Sequence, residues 1–193
     1  MESKKIIFAL FIFVSVCGNL FSQEENQQFI HKNLSRTTLT FSTGYFPKNK
    51  VSSVYLTGNI EYYTNNKISV RGDGYYFVNN LSESVLTNEY IPNQNHGLFF
   101  GALYHFKTNS HFDPYLGLQP GVAISQSKNN FQTSSTTANP LFSSVLGFNY
   151  YAKKYAHFFI NARYVSGKHL SDARTPMSLN EIRFEFGLGF NLF

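Results

Sequence analysis

The sequence predicts an all-β fold, an eight-stranded antiparallel transmembrane β-barrel preceded by a cleaved signal peptide. Three observations carry that expectation. Eight segments alternate apolar with small or polar residues at period two, the periodicity of strands whose two faces meet different surroundings. Short turns and longer polar loops alternate between these segments, the end-to-end asymmetry of a transmembrane barrel. Beyond the N-terminal leader no run of about eighteen apolar residues occurs, so helical spans are excluded.

The leader comes first. Lys4 and Lys5 form a basic start and Ile6 to Val16 an apolar core, with the small residues Gly18 and Ser22 behind it. This core is too short to span as a helix and reads as a secretory signal over residues 1–22. Residues 23–35 then form a short periplasmic segment, and residues 36–193 the barrel. The single cysteine, Cys17, leaves with the leader, so no intramolecular disulfide is expected in the mature chain. The 21 Phe, 13 Tyr and 13 Gly suit strands. A net charge of +5 favours anionic lipid or lipopolysaccharide as a partner; nucleic acid is not expected outside the cytoplasm.

The strands follow in order. In "TLTFSTGYF" Leu39, Phe41, Thr43 and Tyr45 share a face. In "VYLTGNIEYY" Val54, Leu56, Gly58, Ile60 and Tyr62 oppose Tyr55, Thr57, Asn59 and Glu61. "ISVRGDGYYFV" sets Ile68, Val70, Gly72, Gly74, Tyr76 and Val78 against Ser69, Arg71 and Asp73. "HGLFFGALYHF" alternates more weakly. "PYLGLQPGVAIS" separates Leu116, Leu118, Pro120, Val122 and Ile124 from Gly117, Gln119, Gly121 and Ser125. "LFSSVLGFNYY" and "HFFINARYV" turn Phe142, Leu146, Phe148, Tyr150, Phe158, Ile160, Ala162 and Tyr164 one way. The last strand, "NEIRFEFGLGFNLF", puts Ile182, Phe184, Phe186, Leu188, Phe190 and Leu192 opposite Glu181, Arg183, Glu185, Gly187, Gly189 and Asn191.

The connections "TNNK", "KTNSHF" and "KKYA" are short, whereas residues 79–95, 126–139 and 168–177 read as longer polar loops; "PKNK" alone departs from the alternation. Lipid offers the backbone no hydrogen-bond partners, so such a sheet has to close on itself. One face of each strand then meets acyl chains and the other the bore. A soluble lipocalin-like barrel would turn the apolar face inward, but that Phe and Tyr load is too bulky for an eight-stranded interior.

The inward face of the barrel carries Glu61, Arg71, Asp73, Arg163, Arg183 and Glu185. Unpaired buried charges cost several kcal/mol, so these six are expected to form an interior polar network that plugs the bore and leaves no wide pore. Large single-channel conductance would contradict that expectation.

With eight strands in place, residues 36–193 resemble the small outer-membrane barrels of the OmpX type and the transmembrane domain of OmpA. "KISVRGDGYYF", "PYLGLQPGVA" and the "GLGF" finish are similar to barrel proteins of Bacteroidetes, as is a leader ending in "FSQ". The resemblance implies a place in the bacterial outer membrane, termini in the periplasm and longer loops outside. It also implies recognition of the last strand and terminal Phe by the barrel assembly machinery. Phe193 departs from the usual pattern, since it follows Leu192 and falls out of phase with the apolar face.

The sharpest motif is "GKHLSDARTPMSLNE", residues 167–181. It is similar to PagL-type lipid A deacylases, whose sites read His, any residue, Ser, Asn, Ala, then a Pro-containing loop and a Glu. That similarity implies His169 as general base, Ser171 as nucleophile and Glu181 as orienting carboxylate, the elements acyl transfer requires. Asp172 stands where the family has an Asn, and a carboxylate there would repel an oxyanion. Strand-seven alternation also carries His169 and Ser171 to the inward side, away from lipid.

Weaker signals carry less. "RGD" at residues 71–73 lies mid-strand and is not presented. His105, His111 and Asp113 surround a turn and read as turn polarity rather than a metal site, and "NNFQTSSTTAN" reads as a flexible loop. The leading expectation is a non-enzymatic outer-membrane barrel with a structural, surface-interaction or complex-accessory role, without cofactor or metal. Its expected partners are lipid, lipopolysaccharide, the assembly machinery and a larger outer-membrane complex. Lipid A deacylation by His169, Ser171 and Glu181 is the alternative.

Overall fold

A computed structural model describes residues 29–81, 90–106, 111–129, 131–170 and 177–192. The predicted leader, Ser171, Asp172 and Phe193 lie outside the described residues. Eight strands run in chain order: β1 (Ser35–Phe46), β2 (Val51–Tyr63), β3 (Ile68–Asn80), β4 (Ile91–His105), β5 (Phe112–Lys128), β6 (Thr137–Lys153), β7 (Ala156–Gly167) and β8 (Glu181–Leu192). Each pairs antiparallel with its neighbours, and β1 pairs with β8 to close the barrel. That closure leaves no sheet edge, which is what a lipid environment demands of a sheet.

Alternation decides the two surfaces. Phe186 is 75% exposed, Leu39 72% and Ile60 68%, while their chain neighbours Glu185, Thr38 and Glu61 are buried. Soluble monomers rarely expose apolar patches beyond a few hundred Å². A continuous outer wall of Phe, Leu, Ile and Tyr is instead the surface that acyl chains cover. Tyr62, Tyr104, Phe112, Tyr155 and Phe158 lie exposed near the short-turn end, and Tyr45, Tyr76, Phe142 and Tyr164 toward the loop end, like the aromatic girdles of such barrels.

The middle of the barrel is longer than the sequence reading had it. β4 begins at Ile91, five residues before the segment starting at His96, and β5 and β6 each reach 17 residues. The expected loops at residues 79–95 and 126–139 shrink accordingly. Ile91 pairs with Lys128 and Thr137 with Ser125. Backbone pairing needs no apolar side chains, so a hairpin extends past the stretch whose outer face meets lipid.

The N-terminal segment is also not free of the barrel. Phe29, Ile30 and Leu34 are buried with Tyr63 and Tyr151, and the Phe29 ring stacks on Tyr151 at 5.4 Å. Asn33 adopts φ 70° and its amide donates to the Tyr63 carbonyl at 2.9 Å. Asn tolerates this left-handed conformation, which lets the chain turn over the bore before entering β1. At the loop end Met177, Leu179, Leu141, Val165, Phe77 and Ala123 form an apolar cluster with Tyr55, Tyr75 and Phe99. Apolar groups therefore close both ends of a polar bore.

Candidate functional site: the charged bore

Inward positions of the strands hold every described Arg and acidic residue. Arg36, Arg71, Arg163 and Arg183, with Glu61, Asp73, Asp113, Glu181 and Glu185, are each at most 3% exposed. All eight described lysines are exposed. Lys48, Lys50, Lys128 and Lys168 lie at the loop end, and Lys32, Lys67, Lys153 and Lys154 at the turn end. This division follows from chemistry. The guanidinium fork is weakly hydrated and binds carboxylates bidentately, so it tolerates a packed interior, whereas the ammonium keeps its water or a headgroup phosphate.

Near the turn end Arg36 reaches across the β1–β2 register to its direct partner Glu61. Its Nε and Nη2 donate to Glu61 Oε2 at 3.0 and 2.8 Å, and Nη1 donates to the Tyr151 hydroxyl at 2.6 Å. His105 bridges two acids, with Nδ1 2.7 Å from Asp113 Oδ1 and Nε2 3.1 Å from Glu61 Oε1. The Ser69 hydroxyl donates to Glu61 at 2.5 Å, and Asn149 donates to Asp113 at 2.8 Å. His111 does not join them; its ring meets the Tyr151 carbonyl. Among the described residues no group of three or more His, Cys, Asp or Glu is arranged to hold a metal ion.

In the middle Asp73 serves two arginines. Arg71 Nε lies 3.1 Å from Asp73 Oδ1, and Arg163 Nη2 lies 2.9 Å from Oδ2. Gln119 ties this layer together, donating to Asp73 Oδ2 at 2.7 Å while its carbonyl accepts from Arg163 Nη1 at 2.6 Å. Arg163 also donates to Ser143 at 2.8 Å, and Arg71 to the Tyr115 hydroxyl at 3.1 Å.

Toward the loop end Arg183 donates twice to Glu181 Oε2, at 2.9 and 2.8 Å. Its guanidinium sits over the rings of Tyr55 and Tyr75, 4.4 and 4.3 Å from the centroids, a geometry that gains strength when desolvated. The Tyr75 hydroxyl donates to Glu185, which also accepts from Asn161 at 3.1 Å. Gly44 is glycine for a steric reason here, because a Cβ at that position would collide with the Glu181 carboxylate.

The six sequence-singled interior residues thus occupy one bore, with Glu61, Arg71, Asp73 and Arg163 linked to one another and Arg183 held by Glu181. Sequence reasoning left out Arg36 and read Asp113 and His105 as turn residues, whereas both are fully buried strand residues of the bore. Arg36 shares parity with Ser42, and Asp113 with Tyr115, but both precede the segments read as strands, so their inward phase went unused. His105 lay within the weakly alternating segment, where no inward face was assigned.

The PagL-like residues are placed differently from one another. His169 is fully buried, with Nδ1 2.9 Å from Ser125 Oγ and 3.1 Å from Thr137 Oγ1, and Nε2 3.0 Å from Ser134 Oγ. Burial among hydroxyls holds its imidazole below the ordinary pKa. Glu181 is committed to Arg183, and Ser171 lies outside the described residues.

Solved structures share this architecture. The chain is similar to the outer membrane protein OprG from Pseudomonas aeruginosa, with a TM-score of 0.66 and 16% identity over 86% of this chain and 99% of that one. Neisserial surface protein A gives a TM-score of 0.61 and 13% identity over 82% and 96%. The N-terminal β-barrel domain of Pseudomonas aeruginosa OprF gives 0.60 and 15% over 83% and 98%. At such identities the likeness is one of fold: the chain has the eight-stranded fold of the small outer-membrane β-barrels. No protein-family model and no curated protein matches the sequence.

Proposed function

We propose that the protein is an integral outer-membrane β-barrel whose role is structural, surface-interacting or accessory to a larger complex, and that it conducts no bulk solute. The observation that carries this reading is the bore itself. Four arginines are ion-paired with Glu61, Asp73, Asp113 and Glu181 inside it, Glu185 is held by Tyr75 and Asn161, and apolar clusters close both ends. A filled eight-stranded barrel has no room for an aqueous channel. Work is then left to the surface: the loops, the lipid-facing wall and the two lysine rims. Loop-end Lys48, Lys50, Lys128 and Lys168 suit the phosphates of lipopolysaccharide, and turn-end lysines those of phospholipid, at about 1 kcal/mol per cation near an anionic surface.

Planar-bilayer recording of the purified chain tests the reading. Only small, rare conductance events are expected, and steady large openings would refute it. Recovery with the outer membrane and heat-modifiable gel migration test its location. Mass spectrometry of lipid A from cells with and without the protein addresses deacylation by His169, Ser171 and Glu181. An unchanged acyl pattern is expected, since His169 and Glu181 both point into the barrel rather than toward lipid.

A further inference from the structure

Among the described residues, the outer wall carries a shallow dip. A groove of about 440 Å³ crosses β1 to β4, bordered by Thr37, Gly58, Ile60, Gly72, Gly74 and Leu98. The register explains its shape. Gly58 faces Gly74 across β2–β3, and Ile60 faces Gly72. On the far side Gly72 and Gly74 face Phe100 and Leu98. Three outward positions on adjoining strands thus carry no side chain, between rims of Leu39, Ile60, Leu98 and Phe100 that stand 63–72% exposed.

Packing within the chain does not account for two of these glycines. A Cβ on Gly72 would come no closer than 3.8 Å to Phe100, and one on Gly74 no closer than 3.6 Å to Leu98, both ordinary contacts. Only Gly58 is tight, at 3.1 Å from the Thr38 carbonyl. The groove has a direction as well. Leu56 and Tyr76 close it on the loop side as the next facing pair. Toward the turns the outward series of β3 continues through Val70 and Ile68 to exposed Lys67. Lys32 lies at the same end, since the neighbouring Asn33 accepts from the Tyr62 hydroxyl at 2.8 Å and donates to the Tyr63 carbonyl.

We propose that this groove holds one acyl chain of an anionic phospholipid from the turn-end leaflet, with the lipid phosphate between Lys32 and Lys67; the inference rests on the membrane reading above. Length agrees with it. At about 3.4 Å per residue and a tilt of about 40°, the five residues from Lys67 to Gly72 rise about 13 Å and the seven to Gly74 about 18 Å. Those heights bracket the depth of one leaflet, half of a hydrocarbon core of about 30 Å. Charge agrees too, because no described exposed acid lies anywhere on the wall or rims to repel the phosphate. A lipid anchored at the loop end would meet Tyr76 before reaching the groove.

The test uses the full chain in mild detergent, titrated with phosphatidylglycerol and read by native mass spectrometry. One retained lipid is expected on the unaltered chain. Gly72→Leu/Gly74→Leu, which fills the groove, abolishes that retention, and Gly72→Ala/Gly74→Ala weakens it should the leucines hinder folding. Lys32→Ala/Lys67→Ala lowers affinity about fivefold per lysine at low salt. Retention unchanged in the groove variants overturns the proposal. So does competition by inorganic phosphate as strong as that by the lipid, or displacement by lipopolysaccharide at equal concentration. Heat-modifiable migration of every variant keeps the two readings apart: a folded, membrane-inserted chain that retains no phospholipid overturns the groove alone.

Discussion

Asp73→Ala is the sharpest perturbation the bore allows. Asp73 is 3% exposed and is the shared anion of Arg71 and Arg163. Removing it leaves Arg163 with two neutral partners, Gln119 and Ser143. Arg71 keeps the Tyr115 hydroxyl and a long 3.9 Å approach to Glu61. Breaking one buried pair costs about 3–5 kcal/mol, and the alanine strands two cations at once, so the upper part of that range is expected. At a urea slope of about 2 kcal/mol/M the unfolding midpoint falls by about 2 M. The assay is urea titration of the folded chain in detergent, scored by heat-modifiable migration. Asp73→Leu/Arg163→Met removes both partners; if the pair is a unit, its cost falls short of the sum of the single variants by more than about 1 kcal/mol. A loss below about 1 kcal/mol for Asp73→Ala, or strict additivity in the double variant, would refute the account of the bore as a paired network.

Glycine positions give a paired prediction: Gly44→Ala drives a methyl into the Glu181 carboxylate and sharply lowers refolding yield, whereas Gly72→Ala leaves yield unchanged. Removing the Arg183 ring contacts by Tyr55→Leu/Tyr75→Leu is expected to destabilise the barrel by more than about 2 kcal/mol, since each such contact is worth about 1 kcal/mol or more when desolvated, and the Glu185 partner is lost as well; urea titration checks it. His169 gives a pH effect. Its folded pKa is depressed, so the open loop binds a proton more readily than the closed one. Closure is therefore fully stable above the ordinary value of about 6.5 and weakens as pH falls below it. Limited proteolysis of the segment between β5 and β6, residues 129–136, at pH 7.5 and 5.5 shows this, and His169→Gln removes the difference.

The strand count, the closure and the identity of the two faces were legible in the sequence because lipid on one side and a packed polar bore on the other impose opposite chemistry at every step of the chain. Phe184, Phe186 and Leu188 declared one face; Arg183 and Glu185 declared the other. What escaped was structure without that contrast. The ends of β4, β5 and β6 extend with Asn95, Ser127 and Asn139 inward, where polar side chains hydrogen-bond to Tyr55, Ser134 and Ser125 and the outer residues are mixed. Phe29, Ile30 and Leu34 folded back over the bore because an apolar triplet gains by covering Tyr63 and Tyr151, which no local periodicity reports. His169 read as a catalytic base by its neighbours in sequence, yet its neighbours in space are the hydroxyls of Ser125, Ser134 and Thr137.

The ion pairs also differ in when they become available to an inserting chain. Glu181 and Arg183 lie two positions apart on one strand, as do Arg71 and Asp73, and Arg36 faces Glu61 within a single hairpin. Each of these couples neutralises itself with no more than two strands present. Arg163 finds Asp73 only across the bore, from β7 to β3. A nascent hairpin therefore enters the bilayer with much of its charge already cancelled, while Arg163 stays without its carboxylate until the bore assembles, which makes that contact, like the one from Arg36 on β1 to Asp113 on β5, a reporter of the assembled bore.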